Sequence, residues 1–170
     1  MNARGTAAIV AMLAAAGTFA LLRRLGTPLD QCVTVSALAS AATVDARRGI
    51  LPDALTLGAA CCVFAIAGVR HALADSVVAA VIVALPFAFA AAASRSTAIG
   101  WGDVKAMLSV GAAFGVLPSC RLLLVASTSG LLFALARRLG RRSRLAFGPH
   151  LAVGAACTSI FTTLGAGVTP

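Results

Sequence analysis

The sequence contains no tyrosine, all five of its acidic residues are aspartates, and only 11% of its residues are charged. Soluble domains carry about 25% charged residues, so this scarcity of charge excludes an ordinary soluble domain. Instead, 60% of the residues are hydrophobic and the mean hydropathy is +0.98. A spanning helix needs about 20 residues, so at most about seven fit in the chain. The composition predicts an all-α, polytopic transmembrane helix bundle.

Metal-binding and disulfide patterns are also missing. The five cysteines form no C-x-x-C pair, so they support neither a zinc site nor a disulfide framework, and His71 and His150 are isolated. We therefore expect no metal and no cofactor. Aromatic residues make up only 5% of the chain and do not alternate with the basic residues, so no nucleic-acid partner is expected.

Seven apolar stretches are long enough to be candidate spans. The second and fifth are short and contain polar residues such as Ser36 or begin with Lys105, which predicts that they lie inside the bundle. Residues 1–28 are predicted as an N-terminal transmembrane helix and loop, and residues 29–170 as one membrane domain. The spans are Thr6–Leu22, Leu29–Val44, Ala54–Val69, Ser76–Ala93, Val104–Leu117, Leu122–Ala136 and Leu151–Val168.

The first apolar stretch also resembles a secretory signal, because Arg4 precedes it. A signal normally ends in small residues at a cleavage site, whereas this stretch ends in Leu21, Leu22, Arg23 and Arg24. We interpret it as a retained helix.

The basic residues predict the orientation. With a cytoplasmic amino terminus, ten basic residues lie inside and four outside, which satisfies the positive-inside rule. The opposite orientation would require translocation of a loop with five arginines. The net charge of +9 then reflects topology and contact with anionic lipid headgroups. The inside set is Arg4, Arg47, Arg48, Arg95, Lys105, Arg137, Arg138, Arg141, Arg142 and Arg144, and the outside set is Arg23, Arg24, Arg70 and Arg121.

Two aspartates lie at predicted cytoplasmic membrane boundaries. Asp45 follows the second span and Asp103 precedes the fifth. A carboxylate in hydrocarbon costs about 2.5–3.5 kcal/mol, so the two are candidates for an acid/base pair. A single aspartate at a helix start is more often an N-cap, which is our interpretation of Asp53 and Asp75.

Glycine and proline accompany these aspartates. Gly100 and Gly102 flank Trp101 just before Asp103, and they would allow a peptide chain to approach that carboxylate closely. Pro52 suits the first turn of the third helix. Gly148 and Pro149 mark a similar entry into the last helix.

Three segments together resemble the type IV prepilin peptidases. Asp45 with Leu51-Pro52-Asp53 is similar to their D-x-x-x-x-x-I-P-N segment, Gly100 to Lys105 (G-W-G-D-V-K) to their G-x-G-D-V-K segment, and Phe147 to Pro149 (F-G-P) to a third landmark. The order and spacing agree, and the resemblance covers roughly Val33 to the carboxyl terminus. Two departures are Leu51 for isoleucine and Asp53 for asparagine.

The resemblance implies an intramembrane aspartyl protease of the G-x-G-D type, without metal or cofactor, in the bacterial inner membrane. It would remove the short basic leader of type IV pilin, Flp-type pilin or pseudopilin precursors at the cytoplasmic face, with Asp45 and Asp103 catalytic. The larger group also carries paired C-x-x-C motifs and N-methyltransferase activity. Since this sequence has no such motif, we expect a peptidase-only form, with the first span added to a six-helix core.

Three alternatives stay open at this point. A small transporter, or a secretion or pilus assembly subunit, could use the aspartates as proton or cation sites. A presenilin-like protease shares G-x-G-D but pairs it with Tyr-Asp, whereas this chain has Val44-Asp45. Lys105 could lower the pKa of Asp103, contact lipid phosphate, or serve only topology.

Overall fold

The computed structural model describes residues 3–48, 52–94, 99–137 and 147–166. These residues form seven α-helices and no strand, which confirms the predicted all-α class. The helices are α1 (Ala3–Arg24), α2 (Leu29–Arg48), α3 (Asp53–Val69), α4 (Leu73–Ala93), α5 (Trp101–Phe114), α6 (Val116–Ala136) and α7 (Gly148–Ala166).

Side-chain contacts show which helix termini share an end of the bundle. Asp45, near the end of α2, meets Gly148 at the start of α7, and Lys105 of α5 meets Asp53 at the start of α3. We call the end that holds Asp45, Asp103 and Gly148 the aspartate end. At the other end, the distal end, Asp30 of α2 pairs with Arg70 beyond α3. Thr27 and Thr163 also meet at the distal end, their hydroxyl oxygens 3.3 Å apart.

The second and fifth helices lie inside the bundle, as predicted. In α5 nine residues from Val104 to Phe114 are buried. In α2 the buried hydroxyls of Ser36 and Ser40 donate to the carbonyl oxygens of the residues four positions earlier, Cys32 and Ser36, at 2.7 and 2.8 Å. Such bonds satisfy hydroxyls that have no access to water. The polar residues of α2 are therefore compatible with a buried helix.

The predicted boundary between the fifth and sixth spans is wrong. The expected spans were Val104–Leu117 and Leu122–Ala136, but α5 ends at Phe114 and α6 already begins at Val116. Gly115 alone connects them, with φ at +75°, a conformation that side chains disfavour. Because no polar loop separates the two helices, hydropathy gave no sign of the break.

The capping roles predicted for Asp53 and Asp75 are also wrong. The N-cap of α3 is Pro52 and that of α4 is Ala72, and neither forms a side-chain cap bond. Asp53 and Asp75 lie instead within the first turns of these helices. There a negative charge interacts favourably with the positive end of the helix dipole.

Two helices in the described part of the chain, α4 and α6, are long and apolar enough to cross a membrane. Most of their residues lie on the outside of the bundle. The slightly shorter α3 is also apolar. Part of the orientation prediction and one motif residue lie outside the described residues: Arg95, Arg138, Arg141, Arg142, Arg144 and Leu51.

Close helix packing depends on glycine in the bundle interior. A Cβ on Gly111 of α5 would lie 2.7 Å from the Ala79 carbonyl oxygen and from the Ala80 Cα of α4. Both atoms belong to backbone, so α4 and α5 would have to separate. Small residues permit such approaches between membrane helices.

We expect Gly111→Ala to lower the free energy of unfolding by about 1–3 kcal/mol, because added atoms in a packed interior force backbone shifts. Gly58→Ala is the matched control, since a Cβ there would meet no atom within 4 Å. Thermal unfolding of both variants in detergent measures the difference. Equal midpoints would show that the α4–α5 contact can relax.

Candidate active site

Asp45 is a buried carboxylate at the aspartate end. Asp45 is only 4% exposed, although it lies in the last turn of α2. The backbone N–H of Gly148 donates a hydrogen bond to Asp45 Oδ2 at 2.8 Å. Buried charged groups need such partners. The start of α7 therefore holds Asp45 in place.

Gly148 fits this role because it has no side chain. A Cβ at this position would lie 2.7 Å from Asp45 Oδ2 and 3.1 Å from Asp45 Cβ. No ordinary residue could therefore bring its backbone N–H so close without moving the carboxylate. Pro149 follows in the first turn of α7, where the missing N–H of proline does no harm.

Asp103 lies in the first turn of α5, outside the two long apolar helices, and is partly buried. Its Oδ2 accepts a hydrogen bond from the Gly100 N–H at 3.3 Å. Burial raises the pKa of the Asp103 carboxyl above its usual range. The Gly100 bond opposes this rise, and the charge of Asp45 adds to it.

The structure thus brings the three sequence segments together. Asp45 and Asp103 are close enough to interact electrostatically, and Asp45 is bonded to Gly148 of the third segment. They come from α2, α5 and α7, and α2 packs against both of the other helices. Two carboxyl groups that share a site can divide the roles of acid and base between them.

Lys105 and Asp53 form an ion pair beside these carboxyl groups. Lys105 Nζ lies 2.7 Å from Asp53 Oδ2, which joins α5 to the first residue of α3. Lys105 does not pair with Asp103, whose pKa is raised rather than lowered. The described contact of Lys105 is thus with Asp53, and burial sets the direction of the Asp103 pKa shift.

Comparison with known proteins points to one family. The model of the type IV leader peptidase family matches residues 32–135, more than half of the chain, including both Asp45 and Asp103. The chain belongs to the type IV leader peptidase family. The family predicted from the three segments is thus confirmed.

Several proteins named prepilin leader peptidase/N-methyltransferase are similar to this family member. One from Dickeya chrysanthemi is 36% identical over 73% of this chain and 47% of its own length. One from Burkholderia pseudomallei (strain 1026b) is 30% identical over 88% of this chain and 52% of its own. One from Pectobacterium carotovorum subsp. carotovorum is 35% identical over 72% and 47%, respectively. The chain spans about half the length of these curated relatives, and no solved structure matches it.

Sequence reasoning missed a further set of contacts that supports the candidate site. His150, which the sequence analysis treats as isolated, lies in the first turn of α7, two residues after Gly148. Its Nδ1 lies 3.2 Å from the Ser129 hydroxyl of α6, and its ring lies 5.6 Å from that of Phe133. The same Phe133 ring also lies beneath the Arg137 guanidinium, whose central carbon is 5.5 Å from the ring centroid. These contacts join the end of α6 to the turn that holds Asp45.

The expectation that no metal takes part can be tested with the purified protein. Among the described residues no group of three or more histidine, cysteine or acidic side chains could hold an ion. We therefore expect unchanged cleavage after dialysis against a chelator, and preserved cleavage when all five cysteines are replaced by Ala or Ser. Loss of cleavage on chelation with recovery on adding zinc would contradict this expectation.

Proposed function

We propose that this chain is an intramembrane aspartyl endopeptidase. Its substrates would be precursors of type IV pilins, Flp-type pilins or pseudopilins, and it would remove their short basic leader. The observation that carries the proposal is that Asp45 and Asp103, from separate helices, lie at one end of the bundle, where Asp45 also accepts a hydrogen bond from Gly148 of the third segment. Membership of the leader peptidase family and the names of the relatives support this substrate class.

The two carboxyl groups would divide the chemistry. Asp103 would donate a proton to the scissile carbonyl oxygen, a role that the rise of its pKa through burial favours. Asp45 would accept a proton from the attacking water. As in other coupled pairs, the apparent pKa values of the activity profile belong to the dyad rather than to either residue.

The substrate would reach the dyad from the side of the first turn of α5. Gly100 and Gly102 have no side chains to obstruct a peptide on either side of Trp101, and Gly100 is exposed. The leader junction would then lie beside Asp103 while the apolar segment of the precursor stays in the lipid. The partners implied are thus a precursor helix and membrane lipid, and the enzyme would be a multi-pass protein of the bacterial inner membrane.

Co-expression with candidate precursors tests the activity. We expect a shift on a gel from precursor to processed pilin, and mass spectrometry of the product should show a new amino terminus. The same spectrum tests the peptidase-only proposal, because each methyl group that replaces a hydrogen of the new amino terminus would add 14 Da. If no candidate precursor is cleaved by folded protein, the transporter or assembly-subunit alternative gains support.

The proposed orientation places the aspartate end in the cytoplasm. In a cysteine-free background we expect Arg137→Cys, at the aspartate end, to react with a membrane-impermeant thiol reagent only after the cytoplasmic side is opened. Leu25→Cys, in the exposed α1–α2 turn at the distal end, is the matched control and should react from the periplasm. The reverse labelling pattern would place the dyad on the wrong side for a cytoplasmic leader.

A further inference from the structure

The two carboxyl groups of the dyad are held in different ways. Asp45 receives its hydrogen bond from Gly148, a residue of another helix. Among the described residues, the hydrogen bond of Asp103 comes from Gly100, at the start of its own helix. The position of Asp103 relative to Asp45 therefore depends on how the first turn of α5 is fixed to the rest of the bundle.

That first turn has few side chains with which to anchor itself. Gly100 and Gly102 have none, and Trp101 is 51% exposed. Val104 is the first buried side chain, and Lys105 is the first with a polar contact to another helix. Lys105 follows Asp103 by two residues, about 200° around the helix, so it faces α3 from behind the dyad.

We propose that Asp53 and Lys105 are positioning residues that hold the first turn of α5, and with it Asp103, in register with Asp45. This inference rests on the proposed peptidase function. The Nζ–Oδ2 distance of 2.7 Å is that of a charge-assisted hydrogen bond. The side chain of Lys105 is 29% exposed and that of Asp53 62% exposed.

An ion pair this exposed contributes little to the free energy of unfolding. Its proposed role is therefore to fix the position of the first turn of α5. A shift of about 1 Å in a catalytic group can slow a reaction about 100-fold. The pair also gives a reason why this chain has an aspartate at position 53, where the prepilin peptidase pattern has an asparagine. A carboxylate at the start of α3 neutralises Lys105, whereas an asparagine would leave that ammonium group uncompensated next to the dyad.

The test uses three variants and a control. Asp53→Asn and Lys105→Met each break the pair, and the exchanged variant Asp53→Lys/Lys105→Asp restores it with reversed charges. Asp30→Asn breaks the ion pair with Arg70 at the distal end, whose distance is 3.2 Å, and should change nothing at the dyad. Cleavage is measured per folded enzyme across a range of substrate concentration and pH.

We expect each single variant to lower kcat about 3- to 30-fold with little change in KM, and the exchanged variant to recover most of the loss. The pH profiles should move in opposite directions. An uncompensated Lys105 in Asp53→Asn favours the ionised dyad and shifts the acid limb to lower pH, whereas an uncompensated Asp53 in Lys105→Met shifts it to higher pH. Among the described residues, the charged group that acts on Asp103 from a packed helix is Asp45 on α2, and Asp53 on α3 contacts Lys105.

A second readout does not require activity. Trp101 is the only tryptophan of the chain and lies in the turn concerned, so its fluorescence reports that turn directly. Both single variants should lower the anisotropy of Trp101 and increase its quenching by acrylamide, and Asp30→Asn should not. Unchanged Trp101 signals in both single variants would overturn the positioning role. Absence of cleavage by the unmodified protein, with the Trp101 response present, would reject only the proposed function.

Discussion

Replacing Asp45 or Asp103 with asparagine is expected to reduce leader cleavage by about 10³-fold or more, while the protein still inserts and folds. Each change removes one proton-transfer group and keeps the size of the side chain. General acid–base catalysis contributes about 10²–10⁴-fold for each group, and paired groups fail together. The double variant should therefore be no worse than either single one. A gel of co-expressed precursor measures the loss.

Controls separate chemistry from folding in this experiment. Asp75→Asn changes an exposed aspartate in the first turn of α4 and should leave cleavage at the level of the unmodified protein. Gel filtration in detergent should show all variants as folded species. Near-normal cleavage by Asp45→Asn would refute the catalytic assignment.

Gly148→Ala is expected to lower cleavage by about 100-fold, although the residue is far from Asp45 in sequence and carries no reactive group. Its added Cβ would meet Asp45 Oδ2 at 2.7 Å, so the carboxylate would have to turn away from its hydrogen bond with the Gly148 N–H. A buried carboxylate without this partner is costly, so some loss of stability should accompany the loss of rate.

Gly58→Ala and Gly165→Ala are the matched controls, because a Cβ at either position meets nothing within 4 Å. Both variants should cleave normally. Single-turnover cleavage by equal amounts of folded enzyme distinguishes a displaced carboxylate from a smaller folded fraction. Normal single-turnover rates in Gly148→Ala would show that the contact with Asp45 is not needed for the reaction.

Much of this architecture could be predicted from the sequence, because lipid-compatible helices have a strong compositional signal. The seven helices agree with the seven apolar stretches, and α2 and α5 are buried as their polar residues indicated. The end of α5 was missed because Gly115 breaks the helix without any change in hydropathy.

The candidate site was likewise predictable from the sequence only in part. Motif spacing brought Asp45, Asp103 and Gly148 into one prediction, but it could not show that the Gly148 N–H bonds Asp45. The Lys105–Asp53 pair was missed because a charge pattern gives no partner when the residues lie 52 positions apart in sequence and on different helices. The role of His150 was missed because Ser129 and Phe133 carry no signal of their own.

The hydrogen bond between Asp45 and Gly148 joins residues 103 positions apart in sequence. During synthesis, a nascent chain that has emerged through α6 already contains both aspartates but not the donor that fixes the first of them. Contacts between such distant parts of a chain form late, because most of the polypeptide must exist before they can close. The dyad would therefore mature only when α7 enters the bundle, and the growing enzyme would be inert toward precursors made nearby at the same membrane.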